Sequence, residues 1–181
     1  MSHTISRRLL QAWAISMLLV LSACSTIDRS PAPNLVKGAP WAILPFANHT
    51  DTPLAGSRAE AIALTALQAQ GVTNVRAYPG DLQQQALFDA GNGKVQDEAL
   101  AWAKSQGLRY ALAGAVDEWR YKVGVDGEPV VGVSLQIIDL ENGQTLWRGG
   151  AGKSGWSREA LSSLARQLMR DLLQSALAGR A

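Results

Sequence analysis

Few residues of this chain can do chemistry. Its 181 residues include one thiol, Cys24, and two imidazoles, His3 and His49. His49 lies in Asn48-His49-Thr50-Asp51, where hydroxyls and carboxylates crowd an imidazole as a Ser-His-Asp nucleophile system would require. The same cluster is ordinary turn chemistry, because Asn, Thr and Asp side chains bond neighbouring amides. The turn reading is preferred, and no enzyme activity is assigned. Asp117-Glu118 pairs two carboxylates, but neighbours on a strand point to opposite faces and do not converge on one substrate. The run Gly149-Gly150-Ala151-Gly152-Lys153-Ser154-Gly155 resembles a phosphate loop at first sight. That loop needs Gly-x4-Gly-Lys-Ser, and Trp147 or Arg148 stands where the first glycine must be. The run therefore reads as a flexible strand-to-helix loop. A histidine metal site needs several ligands, and one imidazole beyond Cys24 does not supply them, so neither metal nor cofactor is expected.

Cys24 has a specific context. Arg7-Arg8 precede Leu9-Leu10 and an apolar run from Ala12 to Leu21, broken only by Ser16, and Leu21-Ser22-Ala23-Cys24 ends it. A basic flank, an apolar segment of signal length and a small residue before the cut make a secretory signal. The Leu-Ser-Ala-Cys ending reads as a bacterial lipobox, in which the cysteine is acylated and becomes the new N-terminus. The competing reading is a transmembrane anchor, but the run is short for a span, which takes about 20 residues. Several acyl chains on Cys24 would hold the protein on a membrane, at about 0.8 kcal/mol per buried methylene. Ser25, rather than Asp, after the cysteine favours delivery to the outer membrane, and the rest of the chain would fold on its periplasmic face.

Cleavage changes the charge balance. The full chain has 17 Lys+Arg and 15 Asp+Glu. Residues 1–23 carry Arg7, Arg8 and no acid, so the mature chain has 15 of each sign and no net charge. No polybasic run remains, which removes the electrostatic footprint of a nucleic-acid binder. With its one thiol acylated, the chain has no disulfide, and packing must stabilise it.

Three divisions follow. Residues 1–23 are the signal peptide, 24–40 an acylated cysteine and flexible tether with three prolines, and 41–181 a single periplasmic domain. In that domain Trp41-Ala42-Ile43-Leu44-Pro45-Phe46 reads as a buried strand whose Pro45 demands an edge or a bulge. A helix is predicted over 57–70, with Gly71 as its stop, then a strand over 72–78. A short polar helix is predicted over 81–89, and another helix over 95–106 with Leu100, Ala101, Trp102 and Ala103 inward and Gly107 as its stop. Strands over 110–123, 130–140 and 145–151 are joined through Asp126-Gly127 and Asn142-Gly143, both read as type I′ hairpin turns. They predict an antiparallel meander. Ser157 is the predicted cap of a last helix whose stripe is Leu161, Leu164, Leu168, Leu172 and Ala176. The order β-α-β-α-α-β-β-β-α predicts an α/β or α+β fold, a mixed β-sheet covered by helices, whose first strand–helix–strand unit is a candidate parallel crossover.

Two residues stand apart. Trp156 precedes the last helix, either as a staple packed on it or as an exposed aromatic at a membrane interface. Asp126 is either a turn former or a loop carboxylate open to a cationic ligand, with Glu128 two residues on.

Three stretches resemble the PelC lipoproteins of bacterial Pel exopolysaccharide export systems. They are residues 41–48, residues 113–122 continuing through Gly127-Glu128-Pro129-Val130, and Ser154-Gly155-Trp156-Ser157-Arg158-Glu159-Ala160-Leu161. The first is also similar to the wider group containing the TolB N-terminal domain and the lipoprotein activators of peptidoglycan synthases. The resemblance implies a TolB-like module, no enzyme activity, and a dodecameric ring at the periplasmic face of the outer membrane near a PelB-type β-barrel. It implies an acidic funnel suited to a cationic, partly deacetylated amino-sugar polymer. By position in the matching stretches it places the funnel carboxylate on Asp126, with Glu128 and Asp117 as nearby alternatives, and the membrane-facing aromatic on Trp156. The competing expectation is a regulatory lipoprotein that activates a peptidoglycan synthase, for which residues 25–40 are a short reach.

Overall fold

A computed structural model describes residues 25–80, 92–124 and 127–180. Its centre is the meander that the two Gly-containing connections predict: β5 (Tyr110–Tyr121), β6 (Pro129–Asp139) and β7 (Thr145–Ser154), each antiparallel to the next. Alternation drives it, since Val131, Val133, Leu135 and Ile137 all point to one face and are buried. On the far side of β5 lie β2 (Trp41–Ile43), β3 (Ala47–Asn48) and β4 (Val75–Ala77), all in parallel pairings. The sheet runs β1-β7-β6-β5-β2-β4, with β3 beside β5 and β1 spanning Ser25–Arg29. It is a seven-stranded mixed sheet, and the fold is mixed α+β.

Helices α1 (Ala55–Ala69) and α3 (Leu161–Ala176) cover one face. They close the larger core over Trp41, Ile43, Tyr110, Leu112, Ile137 and Trp147. Helix α2 (Asn92–Ser105) lies on the other face, over Ala42, Leu44, Ala111 and Ala113. Among the described residues nothing covers the rest of that face, where a shallow cleft of about 780 Å³ is floored by small residues such as Ala47, Ala115, Ser134 and Gly150. No helix among the described residues is long and apolar enough to cross a membrane.

Several expectations meet the structure directly. The first strand–helix–strand unit is parallel, β2 to β4 through α1. The α3 stripe of Leu161, Leu164, Leu168, Leu172 and Ala176 is buried. Gly71 (φ 80°) and Gly107 (φ 66°) end α1 and α2. In both, the glycine N–H and the next N–H reach back to the last turn: Gly71 to Gln68 and Val72 to Leu67, Gly107 to Lys104 and Leu108 to Ala103. Pro45 sits in a bulge. Ile43 pairs with Leu112 and Ala47 with Ala115, so four steps on one strand match three on the other. The predicted 41–46 strand is thereby split into β2 and β3.

Other expectations are corrected. Residues 25–40 are not a free tether. Ser25–Arg29 is an edge strand on β7, and Leu35 is buried in the core. The sequence hides this because every β1 side chain is exposed, so its pairing is backbone bonding without an apolar pattern. The glycine-rich run is strand, not loop: β7 continues to Ser154, held between β6 and β1. Trp147 lies over Gly149, where a β-carbon would collide with its ring. Asn142-Gly143 is not a type I′ turn, because Gly143 has φ 74° while Asn142 keeps a negative φ. A wider loop forms instead, closed by Asp139 N–H to Gln144 O at 2.8 Å. On α2 the buried residues are Val95, Ala99 and Ala103, and Ala101 is exposed. Ser157 does not cap α3, whose N-cap is Ala160 with no side-chain bond. The helix predicted over 81–89 lies outside the described residues, as do Cys24 and Asp126.

Candidate functional site

Strands β3, β5 and β7 all finish at one end of the sheet, where β1 and β6 begin. Helices α1 and α3 start there, because each follows a strand that ends there. Of the sequence-predicted site residues, the described ones (Asp117 on β5, Glu128 just before β6 and Trp156 in the 155–160 loop) lie toward this end, with His49 in the 49–54 loop beside Asp117. Backbone bonds tie it together. Lys122 N–H donates to Glu128 O and Gly155 N–H to Pro129 O, each at 2.8 Å. The Leu161 N–H donates to Tyr121 Oη at 3.1 Å, so a phenol from β5 caps the first turn of α3.

Trp156 is 67% exposed and does not staple α3. Its loop is held instead by its own N–H, which donates to Glu159 Oε2 at 3.1 Å. Arg158 takes φ 68°, a left-handed turn that redirects the chain into the helix.

Of the two alternative carboxylates, Glu128 is paired with Lys122 Nζ at 2.9 Å. Asp117 is also engaged. Its Oδ1 is 3.1 Å from His49 Nδ1, and its Oδ2 accepts from Ser134 Oγ at 2.5 Å. Here the sequence expectation is corrected. Asp117 is the extra residue of a bulge between Val116 and Glu118, so Asp117 and Glu118 share a face and both flank Gly132. Glu118 is occupied by Arg120 at 2.7 Å. The pairing of β5 with β3 and β6 brings together a His, an Asp and a Ser that no local spacing connects. Their order does not suit nucleophilic catalysis, because the carboxylate lies between hydroxyl and imidazole, and no base contacts Ser134 through His49. Thr52 Oγ1 donates to Trp119 O at 2.5 Å and, with Asn48, fixes the 49–54 loop as turn chemistry. No group of three metal-ligating side chains occurs among the described residues.

Two residues were not singled out in the sequence. Leu54 is exposed and held at φ 59°, and Val123 stands out fully from the β5–β6 connection. An apolar residue between Lys122 and Gly124, in an otherwise polar turn, was the available signal for the second.

No protein-family profile matches the chain, and neither does any curated protein. Solved structures do. The PelC dodecamer from Paraburkholderia phytofirmans is 42% identical, with a TM-score of 0.73, over 87% of this chain and 100% of that one. A point variant of the same dodecamer matches at 42% identity and a TM-score of 0.70, over 83% and 98% of the two chains. The lipoprotein GNA1162 from Neisseria meningitidis shares the fold at 18% identity and a TM-score of 0.52, over 75% and 96%. Identity at that level across the whole length of the first two makes this chain a member of the PelC family.

Proposed function

We infer that this chain is a non-catalytic lipoprotein on the periplasmic face of the outer membrane. It forms a ring beneath a PelB-type β-barrel and guides a cationic exopolysaccharide toward that pore. Cys24 carries the acyl chains, Asp126 lines the mouth of the ring, and Trp156 faces lipid. The observation that carries the reading is the 42% identity to a dodecamer over 87% of the chain.

Local geometry supports the roles. Asp126 belongs to the β5–β6 connection, which follows Tyr121 and precedes Pro129 at the end where α1 and α3 begin. Glu128 is neutralised by Lys122, and Asp117 is bound by Ser134 and His49, which weighs against both as the guiding carboxylate. One acid per subunit, gathered around one opening, builds a focused negative field although the mature chain carries no net charge. Contacts in such an opening must be weak and repeated for the polymer to pass. Strand β1 leaves no free tether among the described residues, which disfavours a reach into the wall toward a peptidoglycan synthase.

The test is secretion by cells carrying Asp126→Ala or Asp126→Lys. Both lower polymer export, the lysine more than the alanine, while the protein stays folded and membrane-bound. Export at the normal level from both variants removes the funnel role.

A further inference from the structure

We propose that the subunits join face on face. The outer groove between α1 and α3 of one copy packs against the uncovered sheet face beside α2 of the next. The proposal rests on the ring inferred above and goes beyond it, because it assigns both halves of the contact.

The first argument is symmetry. A closed ring needs a heterologous contact, in which two different patches of one chain fit each other. It also turns the same end of every subunit the same way along the ring axis. Both broad faces of this three-layer fold run alongside the strands, so stacking face on face keeps all strand ends directed alike. The sheet edges are the other lateral surfaces. A stable contact buries about 800 Å² on each partner. The edge strand β4 has only three residues, about 10 Å of ladder.

The second argument is the glycines of the cleft. Val133, Leu135 and Ile137 on β6 face α1 and α3, so Ser134 faces the other way, and so does Gly150 opposite it on β7. Gly152 shares that face, opposite Gly132. The subunit's own fold does not require glycine at 150 or 152. Neither takes a positive φ, and an added β-carbon would meet nothing closer than 3.8 Å at Gly150 or 4.0 Å at Gly152. Gly149 differs, because Trp147 fills the space beside it. Bare glycines within an internal strand weaken it, and they mark the close approach of another surface.

The third argument is the groove. It has a volume of about 510 Å³, with Ile62, Ala66 and Ala69 of α1 as its floor and Arg166 and Arg170 of α3 at its side. No acid lines it, and neither guanidinium has an ion pair among the described residues. The cleft holds a carboxylate to meet them. Asp28 shares its rim with Arg29 and Arg148 and is itself without an ion pair among the described residues.

The test uses the mature acylated protein extracted in detergent. Acylation consumes the chain's one thiol, so introduced cysteines react alone. Gly150→Cys lies in the cleft and Thr65→Cys on the groove, on opposite sides of the sheet, so a short bismaleimide cannot join them within one subunit. Chains carrying both cysteines should cross-link into a ladder that reaches the dodecamer, and chains carrying either one alone should give no dimer. A missing ladder, or dimers from a single-cysteine chain, overturns the contact. The Gly150→Trp variant fills the cleft from a position with room for a side chain. It should keep the circular dichroism of the parent while half or more of it falls to monomer by light scattering. An intact dodecamer from this variant overturns the proposal and leaves the sheet edges as the contact. If its circular dichroism changes, the cysteine ladder decides alone. A parent protein that is itself monomeric removes the ring, and this contact with it, which is a distinct failure.

Discussion

Asp139 is the described acid that the fold buries, and its carboxylate is fully used. It pairs with Arg109, accepts the Glu141 N–H at 2.9 Å and is approached by the Asn142 amide at 3.4 Å. Burial alone would raise its pKa. The hydrogen bonds and charge of Arg109, with the bonds from residues 141 and 142, outweigh burial and hold the group below its ordinary value. A depressed folded-state value stabilises above the unfolded pKa, about 3.9, and that stabilisation fades as pH falls through the folded value. The Asp139→Asn variant should melt lower than the parent at pH 7, with the gap narrowing below about pH 4. Melting curves across pH 2–8 check this, and a gap independent of pH would mean that shape rather than charge matters here. The same scale explains why His49 and Asp117 were not read together. They lie 68 positions apart in sequence and meet because β3 lies beside β5, while Ser134 reaches Asp117 from β6 on the other side.

Elements were legible where an apolar period or a glycine stop marks them. The α3 stripe and the alternation in β6 are such periods, and Gly71 and Gly107 are such stops. At Gly71 the left-handed φ of 80° means that Gly71→Ala should cost about 1 kcal/mol, read as a lower thermal midpoint with α1 intact. No loss would show that the α1 terminus relaxes without cost. Elements were illegible where backbone pairing alone makes them. Strand β1 has five exposed side chains, and β7 is prolonged by glycines that read as loop, yet the two form a continuous antiparallel ladder from Ser25–Lys153 to Arg29–Gly149. Each segment is a strand only because the other lies beside it. The Asn142-Gly143 connection failed differently. Asp139 draws the amides of Glu141 and Asn142 toward its carboxylate, and a wider loop satisfies them better than a two-residue turn.

For the whole molecule the consequences concern symmetry. A closed ring of identical subunits needs two different patches on each chain that fit one another. The mature protein, extracted in detergent and weighed by light scattering, should have the mass of a dodecamer, as its 42% identical relative is described. A monomer at high concentration would overturn the ring. The comparison should use the mature chain with β1 present. A shorter piece starting near residue 36 would lose β1 and Leu35, which is 2% exposed and part of the core.

By itself the sequence determined what local pattern and covalent chemistry can determine. It marked the Leu-Ser-Ala-Cys motif at Cys24, equal numbers of acidic and basic residues after residue 23, the meander, the last helix, and the three stretches that resemble the PelC lipoproteins. The tertiary structure decided what depends on partners distant in the chain. It made the first residues of the expected tether a strand, engaged Asp117 and Glu128 with neighbours, and left Trp156 in solvent. The physical reason is that hydrogen-bonded ladders and bulges join residues by backbone geometry, and backbone geometry carries no residue type to read.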